Sequence, residues 1–126
     1  MSDNVFFVVE LEIKPVQLDD LRSVALEMVD LSRENEPGTL NYEYFLSRDG
    51  SVCHIYERYA DTSAVLAHNR SYPAELSQRG MAFRPTRLTA YGTVTDAIRA
   101  ERIDPIEKAI PAFSAVCLQP LAGFAR

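Results

Sequence analysis

The alternation of apolar and polar residues along this chain predicts four well-marked strands, with helical spacing between them. From Val5 to Lys14, the positions Val5, Phe7, Val9, Leu11 and Ile13 are all apolar and share one face of an extended segment. The other face starts apolar with Phe6 and Val8 and turns polar at Glu10, Glu12 and Lys14. This predicts a strand with one face on a core and the other partly covered, ended by Pro15, which cannot donate to a ladder. Val16 to Asn35 reads as a helix. Leu18, Leu21, Ala25 and Met28 recur at helical steps, and Val24 and Leu31 widen the stripe. Asp19 and Asp20 fall in its first turns, where negative charge suits the helix dipole. Glu36-Pro37-Gly38 stops it, since Pro37 disfavours helix in the residue before it and Gly38 permits a sharp turn.

Thr39 to Ser47 alternates again, with Leu40, Tyr42, Tyr44 and Leu46 on one face and Asn41, Glu43 and Phe45 on the other. Arg48-Asp49-Gly50-Ser51 is a hairpin signal, and a return strand runs from Val52 to Tyr59. On that strand Cys53, Ile55, Glu57 and Tyr59 share a face. Asp61 is placed to cap a helix from Thr62 to about Asn69, and a short second helix follows Pro73. Pro85 precedes a fourth strand, Thr86 to Val94. In the tail, Thr95 is placed to cap a helical stretch from Asp96 to about Ile103, Asp104-Pro105 restarts it, Pro111 ends it, and Ala115 to Leu118 is apolar enough for a strand.

The order β-α-β-β-α-β predicts an α+β fold of the ferredoxin-like kind, an antiparallel sheet with helices on one face. Residues 1–94 would form this domain and residues 95–126 an extension packed on it or on a dimer partner. The bare sheet face carries aromatic and aliphatic groups, so a homodimer that pairs two such faces is expected. The alternative is a tail that folds back over its own sheet.

Composition narrows the function classes. A length of 126 residues fits one domain, and 47% apolar with 25% charged residues is an ordinary globular balance. A net charge of −5 without a Lys/Arg cluster argues against nucleic acid, whose binding depends on neutralising phosphates. No stretch approaches the roughly 20 apolar residues of a membrane span. Met1-Ser2-Asp3-Asn4 shows no basic region followed by an apolar run, so a secretory signal is not expected and a cytoplasmic location is. Cys53 and Cys117 match no metal or redox spacing and read as reduced thiols, with a disulfide left open.

Three ordered motifs carry a resemblance. They are Glu36-Pro37-Gly38-Thr39-Leu40-Asn41-Tyr42-Glu43, then Tyr56-Glu57-Arg58-Tyr59, then the spacing of Asp61, Ala64 and His68. Over about Val5 to Val94 the chain resembles the antibiotic biosynthesis monooxygenase family. The resemblance implies a dimeric α+β barrel and, in the oxygenase members, an aromatic substrate between sheet and helices. There, deprotonating an electron-rich phenol lets it reduce O₂ directly, with no metal, flavin or other cofactor. The haem-degrading branch uses a tryptophan, and this chain has none. Asn4 also lies just before the first strand rather than within it.

His68 falls at the family's histidine position. An imidazole there would take a phenolic proton or orient the substrate, against the alternative of a capping or surface histidine. Glu57, mid-strand beside aromatics, would share a proton with His68 or the substrate. Its structural alternative is an ion pair with a nearby arginine, such as Arg58 or Arg87. Tyr42, Tyr44, Tyr56, Tyr72 and Tyr91 offer rings and hydroxyls to a small aromatic molecule, against ordinary core packing. Asn69 and Arg70 would reach a ligand oxygen, or be solvated helix-end residues. Cys53 and His54 point to opposite faces of a strand and make a poor metal pair. These residues point to a cofactor-independent monooxygenase acting on a quinol or polyphenol with O₂. A non-catalytic dimeric protein that binds a small ligand or serves a stress response is the alternative of another class. A decarboxylase or isomerase on the same scaffold is a third. A cavity faced by His68 would favour an enzyme, and a filled sheet-helix interface a binding or structural role.

Overall fold

The computed structural model describes residues 3–126. Met1 and Ser2, part of the stretch read above for a signal, lie outside the described residues. The elements in order are β1 (Val5–Glu12), a 3₁₀ turn (Pro15–Gln17), α1 (Leu18–Asn35), β2 (Thr39–Leu46), β3 (Val52–Tyr59), α2 (Thr62–Arg70) and α3 (Ala74–Gly80). Then come β4 (Arg84–Tyr91), α4 (Asp96–Ile98), a π-helical turn (Arg99–Ile103), α5 (Asp104–Ala109) and β5 (Ser114–Leu118). The fold is α+β and ferredoxin-like, with one five-stranded sheet in the order β2-β3-β1-β4-β5.

Strand alternation does what the sequence pattern requires. Val5, Phe7, Val9 and Leu11 of β1 are buried against the helices, and so are Cys53, Glu57 and Tyr59 of β3 and Leu88 and Ala90 of β4. The helical stripe of α1 buries Leu21, Val24, Met28 and Ser32 on the same core. Asp61 caps α2, its carboxylate accepting the amide of Ala64 at 2.9 Å. Gly38 lets the turn before β2 pass close over α2, where a Cβ would sit 2.6 Å from that of Ala64.

Two expectations are corrected. The sheet is mixed rather than purely antiparallel, because β5 runs parallel to β4, with Leu88 beside Ala115 and Ala90 beside Cys117. A parallel neighbour needs a long crossover, and residues 92–113 supply it. The fourth strand also begins at Arg84, before Pro85 rather than after it. Pro85 is tolerated because it sits opposite Leu11, where the β1–β4 register slips. The strand ends at Tyr91 because Gly92, at φ 119°, turns the chain where a Cβ would lie 2.7 Å from the carbonyl oxygen of Asn4.

The crossover packs on the helical side of the sheet, burying Ile98, Ile103 and Phe113 in the common core. Thr95 caps its first turn by accepting the amide of Ile98. No helix among the described residues is long and apolar enough to cross a membrane.

Candidate active site

Between the sheet and the helices lies a cavity of about 460 Å³. One part of its wall is apolar, with Leu21, Val24, Phe83, Ile106 and Ile110. The other part is polar and aromatic, with Tyr42, Tyr44, Glu57, His68, Tyr72 and Arg102.

His68 is buried at 3% exposure in α2. Its Nδ1 lies 2.7 Å from Oε1 of Glu36, in the short segment between α1 and β2. Glu36 is buried too, and its carboxylate also accepts from Thr39 Oγ1 at 2.8 Å and from Ser71 Oγ. Burial alone would raise the Glu36 pKa, but the hydrogen bonds from His68 and Ser71 and the histidine's charge outweigh it and hold the group at about 2. An ionised carboxylate can only accept, so Nδ1 of His68 carries the hydrogen. Ser32 Oγ and the Tyr72 hydroxyl stand at 3.3 Å from the same nitrogen. The other ring nitrogen, Nε2, has no hydrogen bond among the described residues and lies 3.8 Å from Oε1 of Glu57.

Glu57 is 1% exposed and ion-paired. Its oxygens accept from Nη2 of Arg102 at 2.9 and 2.8 Å, and the Tyr59 hydroxyl donates to Oε1. Burial opposes the charge on Arg102, and the Glu57 carboxylate overcomes it, so the guanidinium stays charged. The predicted alternatives, Arg58 and Arg87, are not its partners. Arg58 neighbours Glu57 on the strand, so it points to the opposite face and donates to Asn4 Oδ1. Arg87 also lies on that outer face, 3.8 Å from Glu10.

Arg102 comes from the π-helical turn, where the Asp104 amide bonds back to the carbonyl of Arg99. Pro105 has no N–H to offer the Glu101 carbonyl four residues back, and the Asn69 amide donates to that oxygen at 2.9 Å instead. Asn69 Oδ1 then accepts from Nη1 of Arg102 at 3.2 Å. So Asn69, expected to reach a ligand oxygen, lines the cavity and also uses both ends of its amide to position Arg102. Arg70 pairs with Glu101 on the surface.

The tyrosines divide between the two faces. Tyr42, Tyr44 and Tyr72 line the cavity, and the His68 ring stands edge-on to Tyr42 and Tyr72 at 4.8 and 5.1 Å between centroids. Tyr56 and Tyr91 do not reach it. They alternate onto the outer face of the sheet, where Tyr56 lies near Phe6 and Tyr91 pairs in register with Phe6. Ser32, Met28, Glu36 and Arg102 are the site residues that the sequence reading left out. A buried serine closing the apolar stripe of α1 was the one available signal for Ser32, and Arg102 had none.

Residues 4–78 match the family model described as antibiotic biosynthesis monooxygenase. Among solved structures, the chain is similar to MupZ from Pseudomonas fluorescens at 20% identity and a TM-score of 0.75, over 100% of this chain and 91% of that one. It is also similar to Rv0793 from Mycobacterium tuberculosis at 26% identity and a TM-score of 0.56, over 75% of this chain and 98% of that one. No curated protein matches the chain. With the family model spanning more than half of its length, the chain belongs to the antibiotic biosynthesis monooxygenase family.

Proposed function

We propose that this protein is a cofactor-free monooxygenase that oxidises a phenol or quinol held in the cavity, with His68 as the base. One observation carries the reading. The Nδ1 hydrogen of His68 is tied to a buried carboxylate, while the ring borders an open, largely apolar space with Nε2 unbonded. A filled interface would have favoured a binding or structural role.

In this reading Nε2 takes the phenolic proton, and the imidazolium that results is stabilised by Glu36 on one side and by the fixed charge of Glu57 on the other. The phenolate passes one electron to O₂, giving superoxide and a phenoxyl radical. The two recombine at a ring carbon, and the resulting peroxide anion takes the proton back from the imidazolium to give a hydroperoxide. Loss of water then leaves a carbonyl, so a phenol and O₂ become a quinone and water. Glu57 acts as a fixed charge rather than a proton carrier, since Arg102 and Tyr59 occupy its oxygens.

The working unit in this reading is a homodimer. Phe6, Phe45, Tyr56, Tyr91 and Leu118 share the sheet face away from the helices, and Phe45, Tyr91 and Leu118 are exposed there in the single chain. A two-fold partner would cover them.

The test is O₂ consumption against a panel of quinols, with quinone formation followed in parallel. Wild-type protein should consume O₂ in step with quinone, and His68→Ala should lose about a hundredfold or more of the rate. Equal background oxidation in both would leave the cavity as a binding site only.

A further inference from the structure

Two phenol groups in the cavity wall share one poor acceptor. The hydroxyls of Tyr42 and Tyr44 lie 2.7 Å apart, and Met28 Sδ is 3.5 Å from the first and 3.3 Å from the second. One hydroxyl can donate to the other. The second then meets the thioether, which is a weak acceptor. Burial, reinforced by the nearby Glu57 charge, raises both phenol pKa values, so both groups stay protonated and act as donors. Stronger acceptors nearby are committed. Glu57 is taken by Arg102 and Tyr59, and Glu36 by His68, Ser71 and Thr39. Tyr72 is engaged with Ser32 at 3.3 Å.

Charge accounting shows what is missing. When a phenol gives its proton to Nε2 of His68, the O–H bond breaks, an N–H bond forms, and a phenolate remains. The imidazolium then answers Glu36, and Arg102 already answers Glu57. The phenolate oxygen has no cation of its own and needs hydrogen-bond donors in a cavity whose wall is largely apolar.

We propose that Tyr42 and Tyr44 form a donor pair for the substrate oxyanion, the hydroxyl now facing Met28 turning to the phenolate oxygen while its neighbour donates into it. The thioether holds that hydroxyl only until a better acceptor arrives. The chain of two donors strengthens the terminal one, because donation into a hydroxyl polarises it. The inference rests on the phenol-deprotonation part of the proposed function and needs no step involving O₂. The tyrosine whose hydroxyl meets the phenolate oxygen would be a catalytic residue in the strict sense, and its neighbour, acting through it, a positioning residue.

The probe is para-nitrophenol, too electron-poor to reduce O₂ and coloured as its anion. Its ionisation is followed by absorbance in saturating protein. Bound to the wild type, it should ionise at lower pH than when free in solution. Tyr44→Phe and Tyr42→Phe each remove one oxygen and keep the ring, and each should weaken phenolate binding about tenfold or more relative to the neutral phenol. Met28→Leu keeps the volume and removes the competing acceptor, so phenolate binding should hold or tighten. Tyr44→Phe and Met28→Leu remain readable even if Tyr42→Phe fails to fold. The proposal is overturned if the wild type binds the neutral phenol preferentially, if the tyrosine variants bind phenolate as well as wild type does, or if Met28→Leu loses as much as they do. A protein that binds phenolate through the two tyrosines yet consumes no O₂ with any quinol would sink the oxygenase reading and leave this pair standing.

Discussion

The carboxylate of Glu36 accepts the Nδ1 hydrogen of His68 at 2.7 Å, joining two residues that stand 32 positions apart. This contact fixes the ring's tautomer and orientation and turns Nε2 into the available nitrogen. Glu36→Gln removes the charge while nearly preserving shape. Quinol oxidation in that variant should fall on the order of a hundredfold or more in kcat with KM little changed, as expected when a base loses the group that orients it. A loss confined to KM would contradict this role.

The same carboxyl makes stability depend on pH. Glu36 is lowered from 4.5 to about 2 in the folded protein, so the unfolded chain holds its proton more tightly. Its contribution is therefore complete above pH 4.5 and disappears as the pH falls toward 2. Melting curves of wild type and Glu36→Gln should differ most near neutral pH and converge across that acid window. A gap that stayed constant down to pH 2 would show that the hydrogen bonds matter but the charge does not.

Glu57 is buried and Arg102 mostly so, and removing one leaves the other charged without a partner. Arg102→Met should cost about 3–5 kcal/mol in denaturant unfolding. The double variant Arg102→Met with Glu57→Gln should recover much of that loss, which a double-mutant cycle measures directly. Strict additivity of the two changes would show that the pair is not coupled.

Gly38 holds the turn before β2 against α2, the helix that carries His68. Gly38→Ala forces two Cβ atoms to 2.6 Å. A destabilisation of about 1–3 kcal/mol is expected, as in other overpacked sites. Ala64→Gly in the same chain should restore most of it, because it removes the other atom of the clash. Failure of that rescue would place the strain elsewhere.

The outer sheet face gives the test of assembly. Light scattering should return twice the 14.2 kDa mass of one chain. Tyr91→Glu with Phe45→Lys should return a single mass, since both side chains belong to the face that a partner would cover.

The alternation of β1, β2 and β3 made most of the fold legible, because a two-residue period with one buried face leaves little choice of register. The caps at Asp61 and Thr95 were readable for the same local reason. His68 and Glu57 both lie on the cavity wall, but the arginine that meets Glu57 is neither of the two named from the sequence. Its own strand's alternation already excluded Arg58, while Arg102 lies 45 residues away in a segment with no pattern of its own. Glu36 read as a helix stop, because Pro37 and Gly38 explain the turn without asking what the side chain before them does. The tyrosines were separable in part. Tyr56 shares a strand with Glu57 and must face the other way, whereas placing Tyr91 needed the sheet pairing. A parallel fifth strand leaves no local signature, since only the crossover's route decides it.

That route has a consequence for how a molecule gets in and out. The segment roofing the cavity is knitted at one end to the inner strands through Arg102 and at the other to the sheet edge through β5. Lifting it as a flap would mean unpicking a strand and stranding two opposite charges at once. Traffic should instead pass on the side of Gly80 and Met81, where the wall is a short helix end with Met81 exposed to solvent. On that route the entrance and the roof would be different parts of the chain, free to vary separately.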